Sequence, residues 1–208
     1  VRLEWLETEP LPTDTRLESE LEARFVQGLQ AYCDRDETAK FRDGLLFKGE
    51  PSYDLELQGA VWRIEPQVKL GPKEGVELMT QPDFVLWPQD ESMGLPVAVY
   101  CDGFAYHACP DEPQSRIWDD IRKRDALVAS GKFVVWTVSW KDVEAFRHDP
   151  RMPNAPSLFD ELEANVAYAW ATGLNDKQLH LQSTMTSLVK YLAQPTAADW
   201  QGLARGLA

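Results

Sequence analysis

The sequence QPDFVL at residues 81–86, followed by PVAVYCDGFAYH at residues 96–107, decides the predicted fold. Residues 97–101 are continuously apolar, which is typical of a central strand buried on both faces. Side chains alternate across a strand, so Asp83 and Asp102 each share a face with the residue two positions away. If neighbouring strands carry them, the two carboxylates meet at one end of a sheet.

Two carboxylates at the end of a sheet indicate a metal site. Asp83 and Asp102 offer the hard oxygen ligands that Mg²⁺ or Mn²⁺ prefers. Such a cation polarises a phosphoryl oxygen and generates hydroxide, as phosphodiester hydrolysis requires. His107, just beyond the strand, is a candidate for proton transfer. Each residue also has a structural alternative, because Pro-Asp and Asp-Gly are common turn dipeptides and His107 can be a hydrogen-bonded core histidine.

The hydrophobic pattern of the rest of the chain predicts an α/β domain. The order is one helix, four strands, a helix, a strand and then further helices. Residues 34–52 are predicted to be mostly loop, with a short strand at 45–47. The predicted helices are 16–33 with a capping start at Ser19–Glu22, 114–130 closed by Gly131, 141–146, 157–172, 175–193 and 196–206, and the predicted strands are 53–57, 60–70, 76–87, 96–102 and 133–138.

The helix predicted before Gly131 carries a charge on its apolar side. At 100° per residue, Ile117, Ile121 and Val128 form one stripe, and Arg124 falls inside it. A guanidinium there is expected to meet either a carboxylate of the site or a phosphate group.

The net charge of −13 argues against a free-standing nucleic-acid binder, since affinity for a duplex comes from lysine and arginine. The acidic residues are concentrated at 1–22, whereas residues 116–132 are rich in arginine and lysine. A local basic face on an acidic body is therefore predicted. Other parts of a larger protein would then deliver the DNA.

Several classes of protein are not expected. No apolar run has the ~18 residues of a membrane helix, and no signal peptide opens the chain. The cysteines Cys33, Cys101 and Cys109 form neither a zinc pattern nor a disulfide framework, which favours a cytoplasmic protein. Cys101 is expected in the core rather than in a thiol–histidine pair.

The motifs taken together resemble a known family. QPDFVL at 81–86, the segment 97–107, the pattern DxxKxxxLxxxG at 120–131 and VVW at 134–136 are similar to the very-short-patch-repair endonucleases of the PD-(D/E)XK superfamily. The resemblance covers roughly residues 16–146.

This resemblance implies an α/β, restriction-endonuclease-like fold, with a mixed central sheet flanked by helices, at residues 13–148. A C-terminal helical extension is expected at 157–208. The implied activity is Mg²⁺-dependent (or Mn²⁺-dependent) cleavage of DNA. Relatives with this pattern resemble modules of large helicase-like proteins, so other domains of such a protein are expected partners.

The resemblance also implies roles for individual residues. Asp83 would bind the metal, Cys101 would offer its backbone carbonyl to the same metal, and His107 would assist proton transfer. Glu22 resembles the acid of the first helix that holds a metal-bound water in this superfamily. The alternative for Glu22 is a solvated helix glutamate.

The sequence departs from the superfamily pattern at two positions. Tyr100 stands where an acid is usual, and Asp102 stands where a lysine is usual. Lys123 is the expected substitute for the lost lysine, and Lys123, Arg124 and Arg122 are expected to contact phosphate. The alternative function is a catalytically inactive nuclease-like module that binds DNA or a protein.

Overall fold

The structure is a computed structural model, and it describes residues 17–102, 115–148 and 183–196. These residues form one six-stranded sheet and four α-helices. The helices are α1 (Glu20–Cys33), α2 (Ser115–Ser130), α3 (Trp140–His148) and α4 (Thr184–Ala193), and the strands are β1 (Ala39–Phe47), β2 (Glu50–Leu57), β3 (Ala60–Pro66), β4 (Phe84–Pro88), β5 (Val97–Asp102) and β6 (Val134–Ser139).

The strands lie side by side in chain order from β1 to β6. Neighbours are antiparallel except β5 and β6, which are parallel. A parallel pair requires a crossover, and α2 lies in that connection. The predicted α/β class, with a mixed sheet flanked by helices, is confirmed.

The sheet separates two cores. Val97, Val99 and Cys101 of β5 belong to the larger core, which also includes residues of α1, α3 and α4. Ala98 belongs to a smaller core that includes Leu127 of α2. Val97, Ala98 and Val99 are fully buried, so the prediction of a central strand buried on both faces is correct.

The predicted loop at 34–52 is wrong, because β1 and the start of β2 fill most of it. Two-residue turns join the first three strands. Lys48 and Gly49 have φ of 53° and 83°, and Gln58 and Gly59 have φ of 50° and 89°. Positive φ at both central residues is typical of the tight hairpin turn that matches strand twist. Asparagine would have marked these turns in the sequence, whereas lysine and glutamine do not.

A β-bulge also interrupts the alternation of polar and apolar side chains by which β1 could have been recognised in the sequence. The register with β2 shifts between Arg42 and Leu45, and Gly44 in this gap has φ of 65°. The extra residue breaks the period of two. The charged side chains of Lys40, Arg42 and Asp43 along β1 are exposed.

Other predicted helix and strand boundaries differ from those in the structure by several residues. The helix predicted at 16–33 begins at Glu20, and the strand predicted at 76–87 begins only at Phe84. The strand predicted at 60–70 ends at Pro66, although Leu70 and Thr80 form an isolated bridge. The helix at 157–172, and nearly all of the one at 196–206, lie outside the described residues.

Helix α4, the described part of the predicted C-terminal extension, packs into the larger core. Met185, Leu188 and Leu192 are fully buried there. Trp62 Nε1 donates to the Leu192 carbonyl at 2.8 Å, and Trp136 Nε1 donates to the Thr184 carbonyl at 3.1 Å. This helix therefore shares the core of the sheet. No helix among the described residues is both long and apolar enough to cross a bilayer.

The buried face of α2 differs from the predicted stripe. Ile121 and Val128 are 41% and 47% exposed, whereas Leu127 is fully buried. Arg124 pairs with Asp102 of the sheet, and this contact turns the face of Arg124 and Leu127 inward. The prediction that Arg124 lies on the inner side of the helix is therefore correct, whereas the prediction that Ile121 and Val128 lie there with it is wrong. The side chain of Ile117 lies outside the described residues.

Candidate functional site

Asp83 directly precedes β4, and its side chain is hydrogen-bonded to the end of β5. Its Oδ2 accepts a hydrogen bond from the Cys101 N–H at 2.6 Å, and its carbonyl accepts one from the Gln67 N–H at 2.9 Å. Because Phe84 of β4 pairs with Val99 of β5, Asp83 and Asp102 lie at the same end of neighbouring strands. The prediction that the two segments lie on neighbouring strands and meet at one end of the sheet is confirmed.

The Asp83 carboxyl group is hard to ionise. Burial is the largest cause that raises its pKa, from 3.8 to about 6. The charges of Glu22 and Asp102 raise the pKa further, while the Cys101 N–H and Arg124 lower it. Two further acids and one arginine therefore lie within electrostatic range of Asp83 at this end of the sheet.

Glu22 is buried, with 2% of its surface exposed, so its alternative as a solvated glutamate is wrong. Its Oε1 accepts from the Ser19 hydroxyl at 2.7 Å, and its Oε2 accepts from the Glu18 N–H at 3.0 Å and from Gln67 Nε2 at 2.9 Å. Ser19 in turn caps α1 by accepting from the Glu22 N–H. The predicted capping start is confirmed, and the same carboxylate faces the site.

Asp102 forms a two-pronged ion pair with Arg124. The guanidinium donates to Asp102 Oδ1 at 2.5 Å and Oδ2 at 2.9 Å, and also to the Thr137 hydroxyl at 3.3 Å. It lies over the Tyr100 ring, 4.5 Å from the centroid. Such forked pairs are among the stronger charge-assisted contacts. Of the two partners predicted for Arg124, the structure shows the carboxylate.

Tyr100 supplies an aromatic ring on which the Arg124 guanidinium rests. Its hydroxyl forms a 2.7 Å hydrogen bond with the Thr80 hydroxyl. Burial is the main cause that raises the pKa of the Tyr100 phenol. The phenol is therefore neutral at physiological pH, and Arg124 rather than Tyr100 carries charge at this position.

The remaining predicted residues are placed differently. Lys123 Nζ pairs with Asp119 Oδ2 of its own helix at 2.5 Å, and Arg122 is exposed. Cys101 is buried in the larger core, and burial raises the pKa of its thiol well above the usual value, as its predicted packing role requires. His107 lies outside the described residues.

The carboxylate oxygens of Asp83 and Asp102 are ligands that a hard divalent cation prefers. The described side chains are not, however, gathered into a metal site. Within residues 17–102, 115–148 and 183–196, no group of three or more His, Cys, Asp or Glu side chains is gathered for a metal. Both oxygens of Asp102 are engaged by Arg124. A cation held by Asp83 and Asp102 would have to displace the guanidinium from Asp102.

Sequence reasoning missed three polar residues of the site. Gln67 bonds Glu22 and Asp83, Thr80 bonds Tyr100, and Thr137 bonds Arg124. Thr137 could have been found, because it opposes Tyr100 in the parallel pair of β5 and β6. Gln67 carried no signal, since its contacts depend on a backbone conformation that glutamine rarely adopts.

The chain was compared with protein-family models, with curated proteins and with solved structures, and none of them matches it.

Proposed function

We propose that this chain is a metal-dependent endonuclease domain that hydrolyses phosphodiester bonds of DNA, built on a restriction-endonuclease-like fold of the PD-(D/E)XK superfamily. The observation that carries the proposal is the meeting of Glu22, Asp83 and Asp102 within electrostatic range, where burial and charge raise the pKa of Asp83 to about 6. Acids with raised pKa values concentrate at functional sites.

The proposed roles follow from the contacts. Asp83 and Asp102 would hold Mg²⁺ or Mn²⁺, with the Cys101 carbonyl as a further ligand. When bound, the cation polarises a phosphoryl oxygen and lowers the pKa of water. Arg124, once displaced from Asp102, would neutralise the charge that develops on the phosphate. Water would add to phosphorus and release a proton to solvent, the ester P–O bond would break, and His107 would supply a proton to the leaving oxygen.

The acidity of the chain bears on its partners. With a net charge of −13, the domain would attract DNA weakly by itself. We therefore include in the proposal that other domains of a larger, helicase-like protein bring the DNA, and that Arg122 and Lys123 add local phosphate contacts.

Plasmid cleavage with Mg²⁺ or Mn²⁺ tests the proposal. Asp83→Asn is expected to abolish cutting, because it removes the charge but keeps an oxygen for the Cys101 N–H. Asp90→Asn is the matched control, since Asp90 is exposed and seven positions further along the chain. Cutting that survives Asp83→Asn would reject this site.

A second candidate function is supported by the contact between Arg124 and Asp102. Arg124 occupies both oxygens of Asp102, which suits a nuclease-like module that binds DNA or a protein without cutting. It predicts salt-dependent affinity for DNA, or affinity for a protein, and no cleavage with either cation. Cleavage that depends on Asp83 would exclude it.

A further inference from the structure

Gln67 adopts a backbone conformation that side chains disfavour. It follows β3 directly and has φ of 55°. Lys48 and Gln58 also have positive φ, but both stand in tight hairpin turns that require it. Gln67 instead begins the long connection from β3 to β4. This left-handed region is unfavourable for residues other than glycine, and such residues cluster at functional sites.

The contacts of Gln67 join three parts of the site. Its N–H donates to the Asp83 carbonyl at 2.9 Å. Its side-chain Nε2 donates to Glu22 Oε2 at 2.9 Å, and its Oε1 accepts from Gln81 Nε2 at 2.8 Å. One residue thus connects the end of β3, the start of α1 and the segment that enters β4.

Glu22 depends on this connection for its direction. The other two donors to its carboxylate, Glu18 and Ser19, directly precede its own helix. Gln67 supplies the hydrogen bond that ties the carboxylate to the strand side. A buried carboxylate without such partners would be costly and would turn toward water.

We propose that Gln67 is a positioning residue, which fixes the Glu22 carboxylate beside Asp83 and holds the Asp83 segment against the end of β3. The inference rests on the proposed function and deepens it, because it assigns Glu22 and Asp83 to one acidic unit. Residues that hydrogen-bond the groups around a metal ion in this way are worth roughly 10-fold or more in metal affinity.

The test compares Gln67→Met with Gln58→Met. Methionine keeps the length of glutamine and the cost of positive φ but removes the amide. Gln58 is the matched control, because it has nearly the same φ and lies in a hairpin turn. Mn²⁺ affinity, read from the electron paramagnetic resonance signal of the free ion, is expected to fall roughly 10-fold in Gln67→Met and to stay unchanged in Gln58→Met.

Gln67→Gly separates positioning from backbone stability. Glycine relieves the cost of positive φ, so the melting temperature should change little while Mn²⁺ affinity falls as in the methionine variant. Wild-type Mn²⁺ affinity in both Gln67 variants would overturn the inference.

A readout without metal separates this inference from the proposed function. The side-chain carboxyl ¹³C resonance of Glu22 is expected to shift in Gln67→Met and not in Gln58→Met. An unshifted Glu22 resonance would overturn the positioning role. A shifted resonance, with no Mn²⁺ binding and no cleavage by the wild-type protein, would support the positioning and overturn the proposed nuclease.

Discussion

Asp83 opposes the stability of the fold at neutral pH. Its pKa in the folded chain, about 6, lies above its ordinary value of 3.8, chiefly because the group is buried. Between these values the native state binds more protons than the unfolded state. The contribution of Asp83 to the free energy of unfolding therefore falls as the pH rises through this window.

Asp83→Asn is expected to stabilise the protein while it destroys the proposed activity. The free energy of unfolding should rise by about 3 kcal/mol at pH 8 and by about half as much at pH 5, since most of the folded protein already has Asp83 protonated there. Urea unfolding at the two pH values checks this. A variant that is less stable than the wild type at pH 8 would contradict the raised pKa.

Arg124 engages both oxygens of Asp102 and would compete there with the cation of the proposed site. Arg124→Gln removes the guanidinium from both oxygens of Asp102, so Mn²⁺ affinity is expected to rise about 10-fold, equivalent to about 1.4 kcal/mol. Lys123→Gln changes the net charge equally but removes a contact with Asp119, so it should have little effect. Calorimetric titration of both variants provides the measurement. Equal affinities would show that Arg124 does not compete.

At the level of elements, sequence predicted best where an apolar run or a helical period is unbroken. The strands β5 and β6 and the helices α1 and α2 follow from apolar runs and periodicity. Most of the strand β1 was not predicted, because the bulge at Gly44 breaks the alternation of its side chains. In addition, Lys48-Gly49 is not a typical turn sequence. Of the residues that meet at this end of the sheet, Asp83, Asp102 and Glu22 were singled out from the sequence. Gln67 was not, because its contacts join segments that are distant in the chain.

The turn between β1 and β2 offers a test of this explanation. A Cβ at Gly49 would meet nothing within 4 Å, but its φ is 83°, so Gly49→Ala should cost about 1 kcal/mol through backbone conformation alone. Lys48→Asn should instead stabilise the hairpin by a few tenths of a kcal/mol, because asparagine tolerates positive φ. Urea unfolding of both variants checks the opposite signs. A neutral Gly49→Ala would contradict the turn.

For the whole molecule, the C-terminal helix α4 completes the larger core. Leu188 is fully buried there, whereas Lys190 on the same helix is exposed. Leu188→Ala is expected to lower the free energy of unfolding by about 2–5 kcal/mol, and Lys190→Ala by less than about 0.5 kcal/mol. Tryptophan fluorescence should follow one transition, since Trp62 and Trp136 bond the two ends of this helix. A separate early transition in Leu188→Ala would show that α4 folds independently.

The bulge in β1 has a consequence for the behaviour of many copies of the chain. In the sheet that the structure describes, β1 has a neighbour on one side only, and the open border of a nine-residue strand can recruit a strand from another molecule. Recruitment of another strand requires a straight edge of backbone donors and acceptors. The bulge at Gly44 interrupts this edge, and the charges of Lys40 and Arg42 disfavour the approach of a second strand. The irregularity that conceals this strand in the sequence thus protects the folded protein from fibrous self-association in a crowded cell.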